Sequence, residues 1–221
     1  MRVAIVAAGG SGERLGADGP KAFVDCAGRP LVDWSIDVLG AVCDRVVVAA
    51  PEGHEQGAEG HERVVGGASR SESVRNALAA APEAEIAVVH DAARPLLTAE
   101  LVERCVAAIH APGVTGAVAA APVTDTIKEA DGSGRVLRTL DRGSLWSIQT
   151  PQVFWAQPLR EALAADAATL AAATNDAGLV EAAGGTVAIV EAPRENLKVT
   201  TPLDLRLAEL LLSRRAARAD A

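Results

Sequence analysis

The residues Val3-Ala4-Ile5-Val6-Ala7-Ala8 form an unbroken apolar run that ends on Gly9-Gly10-Ser11-Gly12. A strand with one wet face would alternate apolar and polar side chains. A short continuous run instead suits a strand buried on both faces, as in a parallel sheet covered by helices. The glycines that follow let backbone N–H groups approach a ligand beyond the strand's carboxyl end. Composition supports such a sheet. Phe23, Phe154, Trp34, Trp146 and Trp155 are the only Phe, Tyr or Trp residues, so the core must be built from Ala, Val, Leu and Ile.

The alternation continues along the chain. A helical pattern starts at Pro30, where a missing N–H costs little, and runs through Trp34, Val38 and Leu39. Strands are expected over Arg45–Ala49, Ile86–His90 and Gly116–Ala120, with helices over Ser71–Ala81 and Ala99–Ile109. The rhythm breaks at Pro122. Asp125–Lys128 and Val136–Leu140 flank the polar turn Asp131-Gly132-Ser133-Gly134 and read as a hairpin projecting from the body, an arm over roughly 123–145. Helices over Leu159–Ala173, Asp176–Ala183 and Pro202–Leu212 and a strand over Thr186–Glu191 complete the pattern. The tail through Arg214, Arg215 and Arg218 reads as an exposed helix end. With 221 residues and no repeat or linker, a single domain over 1–221 with no second enzymatic domain is expected.

The first loop misses both common phosphate-binding motifs. Gly10 and Gly12 fit the dinucleotide fingerprint, but its third glycine would fall on Leu15, and no Gly-Lys-Ser/Thr follows as in a Walker A loop. What remains is a glycine loop carrying two cations, Arg14 and Lys21. A triphosphate with a departing pyrophosphate carries charge that fixed Arg and Lys side chains stabilise, whereas a dinucleotide diphosphate can rest largely on N–H groups.

Three later segments add to it. His90-Asp91-Ala92-Ala93-Arg94-Pro95 follows a strand, so Asp91 would point into the crevice at the sheet's carboxyl edge, where a carboxylate can hold Mg²⁺. Alone, Asp91 reads equally well as a turn cap paired with Arg94, and His90 as a packed strand-end residue. In Gly66-Gly67-Ala68-Ser69-Arg70-Ser71-Glu72-Ser73, Ser73 can offer a hydroxyl to a base or ribose and Arg70 can anchor the loop; the plainer reading is an N-cap, with Ser71 the cap. Lys198, placed in a short strand before the last helix, can reach phosphates or be a solvated edge lysine, with Thr200 or Thr201 as the helix cap.

The net charge of −8 argues against a nucleic-acid partner, which needs a basic surface. Cys26, Cys43 and Cys105 show neither CxxC spacing nor an even count, as expected of buried thiols in a reducing cytoplasm. No secretory h-region or bilayer-length apolar run is present, so no membrane partner is expected.

Together these segments resemble the 2-C-methyl-D-erythritol 4-phosphate cytidylyltransferases, over nearly the whole chain. The likeness rests on Ala7-Ala8-Gly9, Gly12, Arg14, Pro20-Lys21, Gly66-Gly67, Arg70, Ser73-Val74 and His90 to Pro95. It continues through Pro122-Val123, Asp125 to Lys128, Asp141-Arg142, Gln149-Thr150-Pro151-Gln152 and Lys198-Val199-Thr200. The resemblance implies a three-layer αβα, Rossmann-like nucleotidyltransferase fold with a mostly parallel sheet. It implies Arg14, Lys21 and Lys198 as catalytic cations and a nucleotide site for CTP from Ala7, Ala8, Gly9, Gly10, Gly12, Gly67 and Ser73. Asp91, Arg94 and Lys198 would bind the acceptor, with Asp91 also at the Mg²⁺. The arm would interlock a homodimer, so that Thr126 and Arg142 reach the partner's site. Three departures stand out: Ala22 where glutamine is frequent, Ala68 where an acid is frequent, and Asn175 in place of an acid. The expected reaction is CMP transfer from CTP to methylerythritol phosphate in the cytoplasm. The rivals are another acceptor such as ribitol 5-phosphate, a dinucleotide-dependent oxidoreductase, and a non-catalytic nucleotide-binding regulator.

Overall fold

The computed structural model describes residues 1–16, 19–54 and 61–219, without the side chains of 218 and 219. The expected basic end at Arg218 therefore lies outside the described side chains. In chain order the elements are β1 (Arg2–Ala7), β2 (Asp25–Cys26), β3 (Arg29–Pro30), α1 (Leu31–Val42), β4 (Arg45–Ala50), β5 (Glu62–Val65), α2 (Arg70–Ala79), β6 (Ile86–Asp91) and α3 (Ala99–Ile109). They continue with β7 (Gly116–Pro122), β8 (Lys128–Ala130), β9 (Val136–Thr139), β10 (Trp146–Trp155), α4 (Ala156–Leu163), α5 (Ala167–Ala172), α6 (Asp176–Ala182), β11 (Val187–Glu191) and α7 (Pro202–Ala219).

Seven strands form the central sheet in the order β11-β7-β10-β6-β1-β4-β5. All neighbours pair in parallel except β10, which runs antiparallel between β6 and β7. Alternate side chains feed two cores. Ala4, Val6, Val46, Val48 and Val88 pack with α1 and α3 through Val32, Ile36, Leu101 and Val102. Val3, Ile5, Val47, Ala87 and Val89 pack on the other face against α2, α4 and α6. This is the expected three-layer αβα arrangement. Its one large core aromatic, Phe154, lies over Gly116, where an added Cβ would stand 2.3 Å from the ring. α7 closes a third cluster through Ala208 and Leu212 against Leu15, Leu31 and Leu96.

Several local expectations change. The helix expected over Leu159–Ala173 is two helices, because Asp166 accepts the Thr169 N–H (2.9 Å) and starts a new one. Strands β5 and β10 had not been anticipated. Ser69, not Ser71, caps α2 in a reciprocal box with Glu72, and Ser71 is buried. Thr201 and Asp204 cap α7, which runs past Leu212 to Ala219. Lys198 sits outside every described strand. The first hairpin strand begins later than expected, at Lys128, the second starts at Val136 as expected, and the two form their own two-stranded sheet. No residue between 123 and 145 is buried.

Candidate active site

The parallel ladder sets the site. β1 and β6 are in register from Arg2↔Ile86 to Ala7↔Asp91, so the last residue of β1 lies beside the acid that ends β6. Both chains then leave the sheet at its carboxyl edge, where open α/β sheets bind ligands. Gly12 turns the loop at φ 82°, a left-handed conformation that glycine adopts without strain. A 3-10 turn over Glu13–Leu15 carries Arg14, and a second over Lys21–Phe23 is tied back by Lys21 N–H to the Gly10 carbonyl (2.9 Å).

Opposite stands the turn before α2. Gly67 comes so close to Glu72 that an added Cβ would lie 2.3 Å from the Glu72 Cβ. The Gly67 N–H donates to Ser73 Oγ (3.0 Å), and that hydroxyl donates to the Ser69 carbonyl (2.9 Å). Ser73 therefore keeps one lone pair and can only accept a further hydrogen bond.

A cavity of about 310 Å³ lies between these walls, lined by Ala7, Gly9, Gly10, Arg14, Lys21, Gly67, Ser69, Arg70, Ser73, Asp91 and Lys198 among others. A smaller one beside it, about 210 Å³, is lined by Gly10, Gly12, Arg14, Lys21 and Thr200. A third, about 250 Å³, continues past Asp91 and Lys198 to Arg94, Gln149, Thr150, Thr174 and Asn175. Thus the expected cations, the glycines and Asp91 meet at one edge, and Arg94 faces the adjoining space. Ala8 lines none of these cavities; its N–H donates to the Ala49 carbonyl (3.0 Å), which anchors the loop. Thr126 and Arg142 stand apart on the arm, with Arg142 donating to the Thr124 carbonyl.

Asp91 does not pair with Arg94. Its Oδ1 accepts from Arg70 Nε (2.8 Å) and its Oδ2 from Lys198 Nζ (2.7 Å). Arg70 reaches on to Asp176, donating from Nη1 to Oδ2 (2.6 Å), and so anchors its loop as expected. Asp176 is fully buried, and its role could not be read from sequence because Arg70 lies 106 residues away. Asn175 caps α6 by accepting the Gly178 N–H (2.8 Å).

The charges act on one another. Burial raises the Asp91 carboxyl, but Arg70 and Lys198 outweigh it and hold the group well below the usual carboxylate range. Burial pushes Arg70 down, yet Asp176 and Asp91 together hold it above its ordinary value. Asp176 is raised by burial, with the Asp91 charge adding to it against Arg70. Lys21 is lowered, first by burial and then by Lys198, with Arg14 and Arg94 adding and Asp91 opposing. Among the described residues neither Arg14 nor Lys21 forms an ion pair. The result is a local excess of positive charge within a chain of net charge −8.

His90 is a packed residue, as expected. It is fully buried, and burial pushes its imidazole down to about 4. The thiols are buried at Cys26 and Cys105 and half-buried at Cys43; burial raises Cys26 to about 11 and the other two to about 12. No described helix is long and apolar enough to cross a membrane.

Known proteins share this fold and much of this sequence. Residues 2–214 match the family model of IspD, 2-C-methyl-D-erythritol 4-phosphate cytidylyltransferase. The chain is 48% identical to the protein of that name from Nocardia farcinica, over 97% of this chain and 95% of the relative. It is 41% identical to the one from Prochlorococcus marinus, over 98% of this chain and all of the relative. The crystal structure of the Thermus thermophilus enzyme superposes with a TM-score of 0.81 at 35% identity, over 96% of this chain and 100% of that one. With the family match spanning nearly every element that builds the site, this chain belongs to the 2-C-methyl-D-erythritol 4-phosphate cytidylyltransferase family.

Proposed function

We infer that this chain transfers CMP from CTP to the phosphate of 2-C-methyl-D-erythritol 4-phosphate, releasing pyrophosphate for isoprenoid precursor synthesis, as a Mg²⁺-dependent cytoplasmic homodimer. The observation that carries the reading is that Arg14 and Lys21, without an ion pair among the described residues, face the same cavity as the Asp91–Lys198 pair. An oxygen of the acceptor phosphate forms a bond to the α-phosphorus. The bond from that phosphorus to the bridging oxygen breaks, and its electron pair leaves with pyrophosphate. A phosphate monoester is already largely anionic at neutral pH, so no general base is needed. His90, buried and neutral, is suited to no such task. Arg14 and Lys21 hold the triphosphate and stabilise charge that grows in the transition state. Lys198 adds a third cation, and Arg94 faces the space into which the acceptor phosphate fits. The one lone pair left on Ser73 suits a donor such as the cytosine amine.

Asp91 would hold Mg²⁺ through one carboxylate. The described residues offer no cluster of three acids, histidines or cysteines. Mg²⁺ requires none, since it keeps waters and substrate phosphate oxygens as ligands. When bound, the ion would neutralise phosphate charge. The relatives named above favour methylerythritol phosphate over ribitol 5-phosphate. The family match sets aside the oxidoreductase reading. The test is pyrophosphate release from Mg-CTP with each acceptor separately. Release is expected with methylerythritol phosphate only, and release with neither overturns the reading. A chelator should abolish turnover without shifting the thermal unfolding midpoint.

A further inference from the structure

Asp91 and Arg94 sit at opposite ends of one short turn, closed by the Arg94 N–H donating to the Asp91 carbonyl (3.0 Å). A second, longer path joins the same two residues through side chains. Thr150 Oγ1 accepts the Asp91 backbone N–H (3.1 Å) and lies 3.0 Å from His90 Nδ1, while His90 Nε2 lies 3.1 Å from the Arg94 carbonyl. A carbonyl can only accept, so Nε2 carries the ring proton and Nδ1 of the neutral ring is an acceptor. The Thr150 hydroxyl must then donate to Nδ1. Each donor and acceptor along this path is used once, in one direction.

The path is buried throughout, with Thr150 3% exposed and His90 fully enclosed. Thr150 is placed by β10, whose register against β7 shifts between Ile148 and Gln152. Asn196 holds the same stretch, donating to the Thr150 carbonyl and to Gln149 Oε1 (both 2.8 Å), and its own carbonyl accepts Arg94 Nη1 (2.7 Å).

We propose that Thr150 is a positioning residue for acceptor binding: its hydroxyl, relayed by His90, sets the spacing between the Asp91 carboxylate and the Arg94 guanidinium. The inference rests on the reading that Asp91 and Arg94 receive the acceptor. Thr150→Val keeps the shape but removes the hydroxyl, leaving the Asp91 N–H and His90 Nδ1 without partners. The acceptor KM should rise about tenfold while the CTP KM stays within about twofold, since the loop from Gly9 to Lys21 is untouched. Thr150→Ser should restore the acceptor KM. Arg94→Gln separates the two levels of argument. If it raises the acceptor KM and Thr150→Val does not, the positioning role is overturned alone; if neither does, the acceptor reading falls with it. An equal defect in Thr150→Ser and Thr150→Val also overturns it. Should Thr150→Val fail to fold, nitrogen NMR of the unaltered protein decides: a proton on His90 Nε2 and none on Nδ1 is expected, and a proton on Nδ1 overturns the relay.

Discussion

Two charge systems border the same cavity and are built on opposite plans. The glycine loop presents Arg14 and Lys21 without ion-pair partners among the described residues, and Lys21 is lowered by burial and by its cationic neighbours. Across the cavity, Asp91, Arg70, Asp176 and Lys198 are joined end to end by hydrogen bonds of 2.6 to 2.8 Å. The loop leaves its charge for a ligand to neutralise, whereas the network neutralises itself and so fixes geometry. Removing Arg70 should therefore damage folding, and removing Lys21 should damage turnover.

The largest expected effect lies in the network. Arg70→Met strands the fully buried Asp176 without its partner, and breaking such a pair costs about 3–5 kcal/mol. Urea denaturation measures it. Adding Asp176→Leu should recover most of the loss, because the isolated buried charge is then gone. A loss below about 1 kcal/mol in Arg70→Met would show that the network does not hold the fold.

Lys21→Ala tests the opposite side. Removing a preorganised group that stabilises developing charge lowers kcat by about 10²–10³, or roughly 3–4 kcal/mol of transition-state stabilisation. Folding stability should stay within about 0.5 kcal/mol, because the ammonium has no ion-pair partner to strand. Normal turnover would remove Lys21 from the mechanism. A large stability loss would erase the contrast between the two systems.

How much of this contrast was legible in sequence follows from where each interaction closes. α3 runs from Ala99 to Ile109 as expected, since its apolar stripe and its Thr98 cap are local. The glycine loop was legible for the same reason. The partners of Arg70 were not, because Asp91 and Asp176 lie 21 and 106 residues away. β10 was obscured by Gln149, Thr150 and Gln152, polar residues that read as a loop until the structure supplies their buried partners. The Thr150 carbonyl and Gln149 Oε1 meet Asn196, and Gln152 Oε1 accepts the Ala177 N–H (3.2 Å).

A smaller effect comes from His90, behind the network. Its imidazole is lowered from 6.5 to about 4 in the fold, so between those values the unfolded chain binds more protons. Stability is then full above about pH 6.5 and declines as pH falls through that window. The loss between pH 7 and pH 5 is about 2 kcal/mol by proton linkage. Denaturation of His90→Asn at the two pH values should lack this component. An equal pH dependence in both proteins would mean that His90 is not held neutral.

The arm sharpens the comparison from outside, since among the described residues none of its side chains forms an ion pair with either charge system. Val136 and Leu137 are 54% and 59% exposed, so Leu137→Asp should change the stability of the isolated fold by no more than about 0.5 kcal/mol. Assembly is another matter. If the arm joins two subunits, the same substitution yields a monomer in sedimentation. Activity then falls, because Thr126 and Arg142 no longer reach a partner's cavity. Complementation separates this from a site contained in one chain. Mixed dimers of Lys21→Ala and Arg142→Ala subunits hold one site that combines an intact Lys21 with an intact Arg142 from across the interface. Random mixing makes half the dimers mixed, so about a quarter of the unaltered activity should return. A mixture as inactive as its parents would place Arg142 in service of its own subunit, and the arm would then be an interface without chemistry.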